Sequence, residues 1–154
     1  MKKVLIFLLV VSFCISSCAF AEGKQTACSF FALENGQATV KIDLGYSWSV
    51  DFGPLVVYVY DGADDGCVEP LFSGYFVGAD EYERLVSEES EFASDYFEQT
   101  ENMVWCVRSG LNELVFFIGH DVYYRFSSID LNLNLKDLMS RFEISYISNE
   151  CCSE

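Results

Sequence analysis

Histidine and positive charge are both scarce in this chain. One histidine, His120, stands among 154 residues, and 9 lysines and arginines face 24 aspartates and glutamates. A domain this acidic repels phosphate, so nucleic acid is excluded as a partner and a cationic ligand or protein is favoured. The cysteines form no paired C-x-x-C units, and with a single imidazole available a structural zinc site is not expected. No serine lies in a Gly-x-Ser-x-Gly elbow, and no cofactor-binding motif is present. Internal repeats, linkers and low-complexity segments are also missing.

The longest apolar stretch runs from Val4 to Ile15, well short of the roughly 20 residues that a membrane-spanning helix requires. It follows Lys2-Lys3 and ends in the small residues Ser16-Ser17-Cys18-Ala19-Phe20-Ala21, which is the layout of an export signal. Two cuts are open. Ala19-Phe20-Ala21 suits ordinary signal peptidase and would leave Glu22 first, so that residues 1–21 are lost and 22–154 form one globular domain. Ile15-Ser16-Ser17-Cys18 resembles the lipobox of bacterial lipoproteins, which implies removal of residues 1–17, a lipid on Cys18 and a membrane association only through that anchor. The expected location is periplasmic or extracellular, or lipid-anchored at the cell envelope. Cleavage after Ala21 removes two lysines and no acid, leaving 7 basic and 24 acidic residues and a formal charge of −17.

Five cysteines follow the signal: Cys28, Cys67, Cys106, Cys151 and Cys152. In an exported chain they are expected to oxidise. Two disulfides and one remaining thiol are expected. A tie from Cys28 to the C-terminal pair and a Cys67–Cys106 bridge is one of fifteen possible arrangements.

Alternation of apolar and polar residues predicts strands at 29–33, 38–44, 46–52, 55–60, 71–77, 103–108, 113–118 and 121–127. Asn35-Gly36 predicts a tight hairpin pairing Leu33 with Ala38, and further turns are expected at Ser109-Gly110 and at Gly119-His120, the latter of type II′. Apolar residues are rich on both faces of the 103–127 meander, so cover on each side is expected. Between Asp80 and Thr100 there is no glycine or proline, and Tyr82, Leu85, Val86, Phe92, Ala93, Tyr96 and Phe97 recur at helical spacing. This predicts one long acidic helix over about 80–100, N-capped by Asp80. A short helix over about 134–144 follows from Leu135, Leu138, Met139 and Phe142. The expected fold is α+β, an antiparallel sheet of about six to eight strands with these two helices. A mainly-β sandwich or barrel with one helix is the alternative.

Four groups of residues invite a chemical reading. Asp61, Asp64 and Asp65 are weak candidates for a calcium loop, but Ala63 and Phe72 break the EF-hand pattern and a solvated turn explains the segment. His120, the one possible imidazole base, is explained by its hairpin turn. Glu89 falls within the apolar stripe of the expected helix and is a candidate buried acid, to be neutralised by Arg108 or Arg125. Asp80, Glu88, Glu91, Asp95 and Glu98 fall on the opposite side of the same wheel and form an expected partner-binding ridge. The functional expectation is therefore a small exported, disulfide-stabilised binding or inhibitory protein without a catalytic motif, meeting a cationic partner. A structural envelope lipoprotein held through Cys18 and a carboxylate-based hydrolase are the alternatives.

Overall fold

The computed structural model describes residues 25–45, 47–62, 69–89 and 94–149. The two cleavage sites, Cys18, Asp64, Asp65, Cys67, Glu91, Cys151 and Cys152 lie outside the described residues. Ten strands and two helices are present among those described: β1 (Gln25–Leu33), β2 (Gly36–Gly45), β3 (Trp48–Phe52), β4 (Val56–Asp61), β5 (Phe72–Gly78), α1 (Ala79–Glu89), β6 (Tyr96–Thr100), β7 (Met103–Arg108), β8 (Leu111–Gly119), β9 (Val122–Ser128), α2 (Leu135–Met139) and β10 (Phe142–Ser148). Every strand pairing is antiparallel. One sheet has the order β1-β2-β10, and the other runs β3-β4-β5-β9-β8-β7-β6.

The two sheets pack face to face. Ala38, Val40, Ile42 and Leu44 point inward from β2 while Gln37, Thr39, Lys41 and Asp43 point out, as the period of two dictates. They meet Val57, Val59, Phe72, Leu114, Tyr124 and Phe126 of the larger sheet in one apolar core. Burying a side chain the size of Ile42 or Phe126 is worth about 1.5–3 kcal/mol, so this layer is the main source of stability. On its far face the larger sheet carries α1, whose Leu85 is fully buried against Val104, Cys106 and Val115. The β7–β8 strands are thus covered on both sides, as their composition predicts. The sandwich-like alternative fits this architecture better than a single sheet.

The long acidic helix is a misreading. Its first half forms α1, which begins at Ala79 and so places Asp80 inside the first turn. Its second half becomes β6, pairing Tyr96 with Val107 and Thr100 with Met103 around the two-residue turn Glu101-Asn102. Hydrogen bonding to the open side of β7 and burial of Phe97 beside α1 outweigh the helical spacing, a common tertiary override of local preference. The C-terminal helix is shortened in the same way. It starts where Asn134 accepts a hydrogen bond from the Asp137 amide at 3.2 Å and ends at Met139, after which Phe142, Ile144 and Tyr146 alternate along β10 to pair with β2.

Two turns also differ from expectation. The first hairpin pairs Leu33 with Gly36, placing Glu34-Asn35 in the turn. Gly36 serves packing, because a Cβ there would collide with the Ile147 carbonyl oxygen and come within 2.7 Å of the Tyr146 ring. The β8–β9 turn consists of His120-Asp121 with φ of 50° and 58° at the two residues, the signature of type I′ rather than II′. Ser109-Gly110, with φ of 50° and 82°, turns where predicted.

Candidate functional site

Two arrangements of polar side chains stand out, one on each face of the larger sheet. Under α1, Glu113 projects from β8 and is only 3 % exposed. β8 and β9 pair Val115 with Arg125 and Glu113 with Ser127, so Glu113 and Arg125 are diagonal neighbours on one face. Arg125 pairs with Glu113 through one terminal nitrogen and with Glu81 of α1 through the other. Its guanidinium also lies 5.3 Å from the centre of the Tyr75 ring. Glu81 in turn accepts two hydrogen bonds from Arg84, both at 2.9 Å, and Arg84 reaches Glu88 at 2.6 Å. Glu88 is shared with Arg108 of β7.

This chain of alternating charges fastens α1 to the sheet. Hydrogen bonding from Arg84, helped by Arg125, holds the Glu81 carboxyl below the usual carboxylate range, and Arg84 with Arg108 does the same for Glu88. Burial pushes the Tyr75 hydroxyl up against the opposing influence of Arg125. The described acid that is buried within an apolar setting is therefore Glu113. Glu89 closes α1, and its side chain lies outside the described residues. The expected neutralising arginines are engaged elsewhere, Arg108 with Glu88 and Arg125 with Glu81 and Glu113.

The opposite face holds an open cleft of about 480 Å³ where β6 and β7 meet the 131–134 loop. Asp95, Tyr96, Trp105 and Leu131 are among its walls. Tyr96 and Trp105 come together because β6 and β7 place Tyr96 opposite Val107 and Glu98 opposite Trp105 on the same side. Their rings pack edge to face at 4.8 Å between centroids. The Trp105 indole N–H donates to Asn112 Oδ1 at 2.8 Å, and fully buried Asn112 donates onward to the carbonyls of Leu133 at 2.7 Å and Asp130 at 3.0 Å. One asparagine thus locks the aromatic floor to the loop wall. At the rim the Tyr96 hydroxyl donates to Glu98 at 2.8 Å, and Lys136 of α2 donates to the other Glu98 oxygen at 2.5 Å. The Lys136 ammonium holds the Glu98 carboxyl below its usual range, and Glu98 raises both Lys136 and Tyr96.

The sequence-predicted ridge is consequently not one surface. Asp80 and Glu88 belong to α1 on one face of the sheet, whereas Glu98 lies on the other and Asp95 enters β6 at the cleft. Comparison with protein-family models, curated proteins and solved structures gives no match. Function must therefore be argued from the geometry itself.

The remaining predicted residues are dispersed. Asp61 ends β4, and among the described residues no group of three or more His, Cys, Asp or Glu side chains is placed to hold a metal ion. Cys28 is exposed on β1 and Cys106 is buried on β7, and no disulfide joins two described residues. His120 sits in its turn with its ring 5.9 Å from that of Tyr146. No described helix is long and apolar enough to cross a membrane. The cleft was not foreseen. Its sequence signal was Tyr96 and Trp105 at diagonal, same-face positions across the Glu101-Asn102 turn, visible only once β6 is read as a strand.

Proposed function

We propose that this chain is a small exported acidic protein that binds a cationic protein partner and acts by that binding. The observation that carries the reading is the fate of its positive charges. Lys41, Arg84, Arg108, Arg125 and Lys136 each pair with a carboxylate of the same chain, and Arg141 lies over the Trp48 ring at 3.4 Å. Every described lysine and arginine is thus engaged internally. Among the described residues no ion pair takes up the exposed Asp80, Glu83, Asp95 or Glu101, so the described surface carries an excess of negative charge. A surface of this kind steers basic partners toward itself and repels acidic ones.

Export is supported by the first twenty-one residues, and stabilisation by disulfides is supported by the five cysteines beyond them. A lipid on Cys18 would leave the binding reading intact and change only where the domain is held. A carboxylate hydrolase gains no support, because Glu81 and Glu113, the acids that converge under α1, do so across Arg125 in ion pairs. The test is capture from envelope extract on the immobilised chain lacking residues 1–21, which retains every described element. Basic proteins retained at low salt and released at high salt support the reading. Retention that ignores salt, or no retention, contradicts it.

A further inference from the structure

The two tryptophans of this chain have unlike surroundings. Trp48 carries the Arg141 guanidinium over its ring, with Arg141 Nε donating to the Asp43 carbonyl at 2.9 Å. Tyr75 is faced in the same way by Arg125. Trp105 and Tyr96 form the floor of the cleft, and each described arginine is already committed, either under α1 or over Trp48. Tyr96 and the wall residue Leu131 are 42 % and 41 % exposed, Trp105 is half-buried, and Asp95 stands at the edge of the cleft. Lys136 of α2 is paired with Glu98, and among the described residues lining the cleft Asp95 carries the one formal charge.

We infer that the cleft receives an arginine side chain of the basic partner, its guanidinium lying against Tyr96 and Trp105 and hydrogen-bonded to Asp95. The inference rests on the cationic-partner reading and gives it a location. A planar guanidinium suits the site better than an ammonium, since it stacks on an aromatic face while keeping its in-plane donors for a carboxylate. Loss of mobility on binding is small, because Asn112 already fixes Trp105 against the loop. β6 is an edge strand of the sheet, so an extended segment can approach alongside it and present its side chain to the cleft.

The test uses the peptide acetyl-Gly-Ser-Arg-Ser-Arg-Gly-amide and its neutral citrulline counterpart, titrated into the isotopically labelled chain at low salt. The arginine peptide is expected to shift the Trp105 indole N–H resonance, and the citrulline peptide to leave it unmoved. Asp95→Asn, a change at an exposed position, should weaken the arginine peptide about two- to fivefold. Asp80→Asn, across the sheet, should leave the Trp105 response in place. Salt-sensitive peptide binding that maps away from Trp105, or equal shifts from both peptides, overturns the cleft and leaves the broader reading standing. Absence of salt-sensitive binding by the arginine peptide anywhere on the chain removes both.

Discussion

Glu113 and Arg125 form an ion pair within the larger sheet, 3 % and 14 % exposed at their side chains, directly beneath α1. Withdrawing Arg125 strands Glu113 in a setting that also contains Val104, Val115 and Leu85, whereas withdrawing Glu113 leaves Arg125 with Glu81. Removing one member of a buried pair typically costs about 3–5 kcal/mol, whereas replacing both by apolar residues of similar volume is often neutral. Arg125→Ala should lower unfolding free energy by about that amount and Glu113→Ala by less, since Arg125 keeps Glu81, and Glu113→Leu with Arg125→Met should recover most of the larger loss. Urea unfolding of the three variants checks this, and equal losses in single and double variants would contradict it.

Acid should release α1. The folded carboxyls of Glu81 and Glu88 titrate below their ordinary values because arginines favour their ionised forms. Their stabilising contribution is therefore complete above the unfolded carboxylate value of about 4.3 and is lost as pH falls through the lower folded values. Arg84→Ala removes the first cause of both shifts and should move the midpoint of acid unfolding upward. Circular dichroism against pH checks the direction.

Tyr124 is fully buried between the sheets, and its hydroxyl has no hydrogen-bond partner among the described residues. Burial raises its pKa, so ionisation is resisted well past the point at which a free tyrosine titrates. Tyr124→Phe removes a desolvated polar group and should stabilise the chain by about 1 kcal/mol. Gly74→Ala should do the reverse, since the new Cβ would come within 2.6 Å of that hydroxyl oxygen and 2.8 Å of the ring. Thermal melts of the two variants should shift in opposite directions.

Asn112 is the hinge on which the cleft depends. Asn112→Ala strips the partner from the Trp105 indole and a donor from the Leu133 and Asp130 carbonyls, of which Asp130 keeps the Leu133 amide, and should cost about 1–3 kcal/mol in all. Asn112→Asp keeps the acceptor for Trp105 but loses the two donations. Amide exchange in the 130–134 loop should accelerate in both variants, and the Trp105 indole proton should lose protection only in the alanine variant.

Eight strands were legible because alternation is a local signal: β2 and β7 declare their faces in their own residues. β6 and the start of β10 were misread as helix because Tyr96, Phe97 and Phe142 also satisfy helical spacing, and the deciding factor, an open edge on β7 and on β2, is nonlocal. The Asn35-Gly36 signal was real in kind but Gly36 is required by a strand from the far end of the chain. The same limit governs the sites. Glu113 and Arg125 stand twelve positions apart in sequence and meet only through the β8–β9 register, while Glu88 and Glu98, neighbours on a helical wheel, end on opposite faces of a sheet.

The central claim is that a basic partner is held by an acidic surface whose described lysines and arginines are all engaged internally. It is tested most directly by measuring the dissociation constant of the captured partner, purified, against the chain lacking residues 1–21 between about 0.1 M and about 1 M salt, where the screening length shrinks from about 10 Å to about 3 Å. The account predicts that affinity falls at least about tenfold over that range and that Asp95→Asn reduces both the affinity and its salt dependence. An affinity unchanged across the range would contradict it.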